Sequence, residues 1–211
     1  MKLYRRATGN LPIIAQISGS ARRRLFAGLC LAGLTATPAL AAGVAESAFL
    51  VPRMSAAAPL GAGAICQKYA WACATSRKGA KALTEDQLKL ARKINRSVNR
   101  RVTQITDRSQ YREEEVWALP TRRGGDCEDF VLLKKRLLML NGIAPERLLI
   151  ATALDRKRNS HAVLILRTDE GDYVLDNLNS RMLHWKKTGY IFLRLQNSNA
   201  PHSWSGVLAK S

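Results

Sequence analysis

Acidic residues are scarce in this sequence of 211 residues: 16 Asp and Glu stand against 34 Lys and Arg, a formal net charge of +18. Aromatics are few, at 6% of the chain, and histidine occurs three times. A basic chain suits nucleic acid, an anionic envelope surface or an acidic protein partner. No nucleic-acid fingerprint accompanies the charge, and there is little aromatic surface to stack on bases. Nucleic acid is therefore not expected as a partner; acidic surfaces or substrates are, although charge alone often serves only solubility. No pair of His and Cys has zinc-site spacing. Neither internal repeats nor long low-complexity tracts interrupt the chain, which is long enough for one domain with its own core.

Long hydrophobic runs are also missing. The best candidate, Leu25 to Ala36, is too short to span a bilayer comfortably. Arg22-Arg23-Arg24 precede it, and Pro38 and Ala39-Leu40-Ala41 follow. That order of basic, apolar and small residues reads as a secretory signal peptide over residues 1–41 rather than a retained anchor. Arg23-Arg24-Leu25-Phe26 is too weak a match to assign a twin-arginine route. Cleavage after Ala41 removes Lys2, Arg5, Arg6, Arg22, Arg23 and Arg24 and no acid, lowering the charge by six from +18 to +12. The expected location is the periplasm or the exterior, with no stable membrane insertion.

Three cysteines remain beyond residue 41: Cys66, Cys73 and Cys127. In an oxidising compartment the first two are placed for a local disulfide, leaving Cys127 unpaired. Residues 42–82 read as an N-terminal arm carrying that disulfide, rich in Ala, Pro and Gly up to Gly63. The main domain then occupies residues 83–211. Thr84-Glu85-Asp86-Gln87 is a capping box, and Leu88, Ala91, Ile94, Val98, Val102 and Ile105 recur at helical spacing. Lys89, Arg92, Lys93, Arg96, Arg100 and Arg101 form the helix's polar face, most simply a solvated one. A charged loop follows from Asp107 to Glu115. A second helix is expected from about Cys127 to Asn141, apolar on more than one face and therefore central; Asn141-Gly142 ends it. Strands are expected at Arg147 to Leu154, His161 to Thr168, Tyr173 to Asp176 and Tyr190 to Leu195, with a turn at Asp169 to Asp172. Helices first and antiparallel strands after make the class α+β.

Cys127 stands where a glycine turn, Gly124-Gly125, opens the second helix. A helix N-terminus and a nearby imidazolium both favour the thiolate, and backbone N–H groups there suit an oxyanion. The two glycines are expected to clear the approach for a peptide backbone. The inert alternative for Cys127, a buried small hydrophobe, fits poorly with a turn of glycines and acids. His161 begins an alternating strand, and Asp176 closes the next one. An aspartate so placed can hold an imidazole in one tautomer. Alone, His161 reads equally well as a structural histidine, and Asp176 more readily as a turn residue. Counted outward from the hairpin, the two do not fall directly opposite unless the loop holds four or more residues or a bulge intervenes. The order Cys, His, Asp is what points to a thiol enzyme. His184 and His202 read as surface residues. Asp126, Glu128 and Asp129 would raise the thiol pKa by repulsion, unless they merely favour the helix N-terminus. A bound Ca²⁺ would remove that conflict, although no EF-hand loop is present.

Gly125-Asp126-Cys127-Glu128-Asp129-Phe130, Ser160-His161-Ala162-Val163-Leu164 and Tyr173-Val174-Leu175-Asp176-Asn177-Leu178 together resemble the motif blocks of the bacterial transglutaminase-like cysteine proteinases. Arg96-Ser97-Val98-Asn99 and the Trp117 segment fit the helical part upstream. The resemblance spans roughly Thr84 to Leu195. It implies a transglutaminase/papain-like fold, N-terminal helices with the nucleophile at a central helix N-terminus, packed on an antiparallel sheet. It implies a periplasmic cysteine endopeptidase with Cys127 as nucleophile, His161 as base and Asp176 as orienter. It further implies Ca²⁺ held by acids matching Asp126 and Glu128, a large surface adhesin as protein substrate, and an inner-membrane receptor as regulator. The Cys66/Cys73 arm and the high positive charge depart from that pattern and bear on the adhesin and the receptor more than on the chemistry. Two other readings stay open on the residues: transglutaminase-type acyl transfer to an amine, and a non-catalytic module binding acidic envelope partners.

Overall fold

The computed structural model describes residues 47–76 and 79–211. The expected signal peptide lies outside the described residues. These form one compact unit, and none of their helices is long and apolar enough to cross a membrane.

The elements are β1 (Met54–Ala56), α1 (Ile65–Lys68), α2 (Glu85–Arg101), α3 (Asp107–Tyr111), α4 (Cys127–Leu140), β2 (Leu148–Leu154), β3 (Ser160–Arg167), β4 (Asp172–Leu175), β5 (Leu183–His184), β6 (Ile191–Gln196) and β7 (Trp204–Lys210). The strands form one sheet in the order β1-β7-β6-β2-β3-β4-β5, and every neighbouring pair is antiparallel. Strand alternation divides the core in two. Ala162, Leu164 and Leu166 of β3 face Phe130, Val131 and Leu138 of α4 and Ala91, Ile94 and Val98 of α2. Val163 and Ile165 face the other way, with Val174, Trp185, Tyr190 and Phe192.

The capping box forms as expected. Gln87 N–H donates to Thr84 Oγ1 at 3.2 Å, and Thr84 N–H to Gln87 Oε1 at 3.0 Å. The helix stops at Arg101 rather than near Ile105 because the following backbone is engaged elsewhere. Gly125 N–H donates to Thr103 C=O and Ile105 N–H to Gly125 C=O, at 3.1 and 3.0 Å. These bonds seat the glycine turn beside the end of α2. Gly124 has φ +127°, and a Cβ there would lie 1.9 Å from the Thr103 carbonyl oxygen; a Cβ on Gly125 would lie 2.3 Å from the Asp129 carboxylate. Both glycines therefore serve close packing of the chain on itself, not the clear approach to substrate expected of them.

The segment read as an arm is built into the body. β1 pairs with β7, Cys66 and Cys73 are disulfide-bonded, and Ala62, Ile65 and Ala72 belong to the α2–α4 core. The Pro- and Ser-rich tail holds β7. Asn197 N–H bonds to Ser203 C=O at 3.0 Å and closes the turn that returns the chain to β6. The charged loop contains α3, capped by Thr106 Oγ1, which accepts from Ser109 N–H at 3.3 Å.

Candidate active site

Cys127 is the first residue of α4. Its Sγ accepts a hydrogen bond from Ala162 N–H at 3.4 Å, beside His161 at the start of β3. Its S–H donates to Glu128 Oε2 at 3.2 Å. Burial pushes the Cys127 thiol well up from its ordinary value, and the Glu128 charge adds to the effect. The helix N-terminus alone thus leaves the group a thiol in the metal-free protein. The expected conflict between the acids and a thiolate is present.

His161 and Asp176 are both buried, and His161 Nε2 lies 2.8 Å from Asp176 Oδ1. The β3–β4 hairpin pairs Arg167 with Asp172 and Leu164 with Leu175. Its loop therefore contains the four residues Thr168 to Gly171, but a loop of that length does not set the two residues opposite one another as expected. His161 and Asp176 then sit diagonally rather than directly opposite, a separation that a ring and a carboxylate can bridge. Asp176 is held below the usual carboxylate range: hydrogen bonding and the positive end of His161 outweigh its burial. An ionised Asp176 places the imidazole proton on Nε2 and leaves Nδ1 for exchange with a thiol.

Three supports of Asp176 were not legible as site residues. Tyr190 O–H donates to Asp176 Oδ2 at 2.5 Å, and its ring meets His161 edge to face. Leu178 N–H donates to Asp176 Oδ1 at 2.9 Å. Asn99 Nδ2, from α2, donates to the Asp176 backbone carbonyl at 2.7 Å. Asn95, one turn earlier, reaches the Ser180 carbonyl at 3.1 Å. The polar side of α2 thus fastens the loop that carries Asp176. A bare Tyr at the start of a predicted strand carries no signal for such a role.

Asp126 is the N-cap residue of α4, yet its side chain does not cap that helix. Its Oδ2 accepts from Asp107 N–H at 3.1 Å. Asp107 in turn accepts from Val116 N–H. Oxygens of Asp107, Asp126 and Glu128 come within 4.8 Å of one another. Asp107 Oδ1, Asp126 Oδ1 and Glu128 Oε1 are each buried without a hydrogen-bond partner among the described residues. Three neighbouring carboxylates, each with one buried orphan oxygen, are a donor set for a hard divalent cation, whose bonds to oxygen of roughly 2.3–2.6 Å span such a cluster. The residues present therefore fit Ca²⁺. Burial and the Asp126 carboxylate push Glu128 up to about 9, and burial raises Asp107. Asp107 was read only as the start of a charged loop. Asp129, also among the flanking acids, lies elsewhere: its Oδ1 accepts from Ala118 N–H at 2.9 Å and anchors the Trp117 segment. His184 and His202 are not part of this cluster.

A cleft of about 810 Å³ opens on Cys127, His161 and Asp176. A smaller one of about 260 Å³ meets it at Cys127 and His161 and is walled in part by Pro59 and Leu60.

A family model described as bacterial transglutaminase-like cysteine proteinase (BTLCP) matches residues 53–211. The chain belongs to this family. The enzyme is accordingly a transglutaminase-like cysteine peptidase, and the match takes in the disulfide segment ahead of Thr84. Solved structures with a similar fold include Legionella pneumophila LapG, calcium-bound, at 22% identity and TM-score 0.49 over 59% of this chain and 71% of that one. The EGTA-treated form of the same protein aligns at 26% identity and TM-score 0.47 over 53% of this chain and 64% of that one. A further LapG structure aligns at 26% identity and TM-score 0.46 over 53% and 65%. No curated protein matches.

Proposed function

We propose that this proteinase hydrolyses peptide bonds of a protein substrate through Cys127, His161 and Asp176. The observation that carries the reading is the 2.8 Å bond from His161 Nε2 to Asp176 beside a sulfur held at the start of α4. His161 Nδ1 takes the thiol proton, and Cys127 Sγ attacks the carbonyl carbon. Backbone N–H groups at the start of α4 receive the oxyanion. The C–N bond breaks as the imidazolium gives its proton to the leaving amine. Water, losing a proton to His161, then attacks the thioester, and the acid leaves as Cys127 regains its proton. Asp176 remains ionised throughout and keeps the ring in its tautomer.

Asp107, Asp126 and Glu128 would hold Ca²⁺. Bound there, the ion supplies positive charge that offsets the carboxylates beside the thiol. The basic, apolar and small-residue pattern of residues 22–41 supports export to the periplasm. A large surface adhesin as substrate, and an inner-membrane receptor as regulator, are the partners suggested by the sequence resemblance.

The test is labelling of Cys127 in the mature protein with a peptide-like thiol reagent across pH, with calcium and with EGTA, alongside His161→Ala and Cys127→Ala. Rapid labelling near neutral pH that needs calcium and His161 is expected. Labelling no faster than a free cysteine under every condition would overturn the proposal.

A further inference from the structure

Helix α2 carries its positive charge on one side. At 3.6 residues per turn, Lys89, Lys93, Arg96 and Arg100 fall within about 60° of one another around its axis. They stand opposite Ala91, Ile94 and Val98, which are buried in the core shared with α4 and β3. All four are exposed. Lys89 lies 3.5 Å from Asp86, both ends of the pair being open to water. Among the described residues, Lys93, Arg96 and Arg100 have no ion-pair partner. Glu85 and Asp86 open the helix, and no further acid occurs before Asp107.

The excess survives when the neighbouring segments are counted. The glycine turn seated beside the end of α2 adds Arg122 and Arg123, both exposed. Helix α3 and the loop after it add Arg108 and Arg112 against Asp107, Glu113, Glu114 and Glu115. Residues 85–123 together hold ten Lys and Arg against six Asp and Glu, an excess of four. Neither cleft at Cys127 is lined by the four cations of the α2 row. Among the described residues, none of the exposed large hydrophobics lies on α2. A polypeptide interface is centred on an aromatic or apolar anchor seated in a pocket, and this face offers neither. A convex row of cations matches a plane of phosphate headgroups, which each cation meets separately.

We infer that the outer face of α2 docks the protein on an anionic phospholipid bilayer through Lys93, Arg96 and Arg100, with Lys89 at the edge of the contact. The inference stands apart from the hydrolytic reading of the site. Asn95 and Asn99 of the same helix hold the loop that carries Asp176. A bilayer on the outer face of α2 therefore lies one helix away from that loop.

The test is sedimentation of the mature protein with vesicles of phosphatidylcholine containing phosphatidylglycerol, and with vesicles of phosphatidylcholine alone. EGTA is present, so that no calcium bridges protein to lipid. Wild type is compared with K93Q/R96Q/R100Q and with R53Q/K187Q/K210Q, which loses the same charge from exposed sites elsewhere. Glutamine has a helix propensity close to that of Lys and Arg, and thermal melts check the fold. Wild type is expected to partition onto the anionic vesicles alone and to leave them at about 1 M salt, where the screening length is about 3 Å. K93Q/R96Q/R100Q should bind about a hundredfold more weakly, the equivalent of about 1 kcal/mol for each cation. R53Q/K187Q/K210Q should stay within about threefold of wild type. If the triple variant in α2 melts early, the single variant R96Q takes its place, with binding about fivefold weaker. Absence of wild-type binding to the anionic vesicles would overturn the inference and leave the face to an acidic protein or to solvent. Equal losses in the two triple variants would also overturn it, reducing the binding to net charge. The hydrolytic reading stands in either case.

Discussion

Tyr190 donates a 2.5 Å hydrogen bond to the Asp176 oxygen that His161 does not use. The carboxylate is thereby clamped between an imidazole and a phenol, and its pKa is held below the usual carboxylate range. Burial and the Asp176 charge raise the Tyr190 phenol, so it remains a donor at any working pH.

Tyr190→Phe removes that donor and keeps the ring packed against His161. Asp176 then protonates more easily. The acid limb of the kcat/KM profile should move to higher pH, and kcat at its optimum should fall by about tenfold, the scale of one charged hydrogen bond. A steady-state pH series on a cleavable peptide reads both. An unchanged kcat with the acid limb unmoved would mean that Tyr190 only packs.

The acid cluster makes stability depend on pH in an unusual sense. Glu128, pushed up to about 9, binds its proton more tightly in the folded chain than in the unfolded one. Its contribution is full below the unfolded carboxyl value and is lost as pH rises towards about 9. With EGTA present, Tm should fall across that window, and Glu128→Gln should flatten the fall. Calcium should restore Tm in the wild type, most clearly at the alkaline end, and much less in Glu128→Gln. A metal-free Tm that is level across the window in the wild type would count against the cluster.

Gly124 cannot carry a side chain. Alanine there would place Cβ against the Thr103 carbonyl and hold an L-residue at φ +127°. Gly124→Ala should cost at least about 3 kcal/mol, measured by urea unfolding. An exposed Gly142→Ala, also at positive φ but with open space around its Cβ, should cost less and separates backbone strain from collision.

Lys134 and Lys135 are both fully buried on α4, yet differ in partners. Lys135 Nζ donates to Gln196 Oε1 at 2.7 Å; Lys134 Nζ has no hydrogen-bond partner among the described residues. Burial pushes Lys134 down to about 7, so its ammonium is costly below that pH and the cost fades as pH rises to the unfolded lysine value. Lys134→Met should raise Tm at pH 6 and lose its advantage by about pH 10. Lys135→Met should not gain in the same way, because Gln196 Oε1 loses its shorter donor and keeps only Ile150 N–H at 3.4 Å. Thermal melts at the two pH values test the pair.

Helices α2 and α4 and strands β2, β3, β4 and β6 were legible because their signals are local. Thr84 and Gln87 cap α2 within four residues of chain, Asn141-Gly142 stops α4, and the β3–β4 hairpin closes over its own loop. α1, α3, β1, β5 and β7 were not legible. β1 becomes a strand only against the edge of β7, and β7 lies between β1 and β6. The buried pair Lys134-Lys135 shows the same limit in reverse: residues suited to a surface lie inside because the helix is enclosed on several sides.

At the site, the sequence by itself determined the residue types and their order: a cysteine at a helix start, a histidine opening a strand, an aspartate closing the next, and acids beside the thiol. Periodicity and turn chemistry act over a few residues and suffice for that much. The tertiary structure alone decided that His161 and Asp176 meet on a diagonal, that Tyr190 and Asn99 secure Asp176, and that Asp107 joins Asp126 and Glu128. Those contacts link residues far apart in the chain. Only the packing of α4 on the sheet and α2 on α4, with the start of α3 held at Asp126, brings them within hydrogen-bonding or coordinating distance.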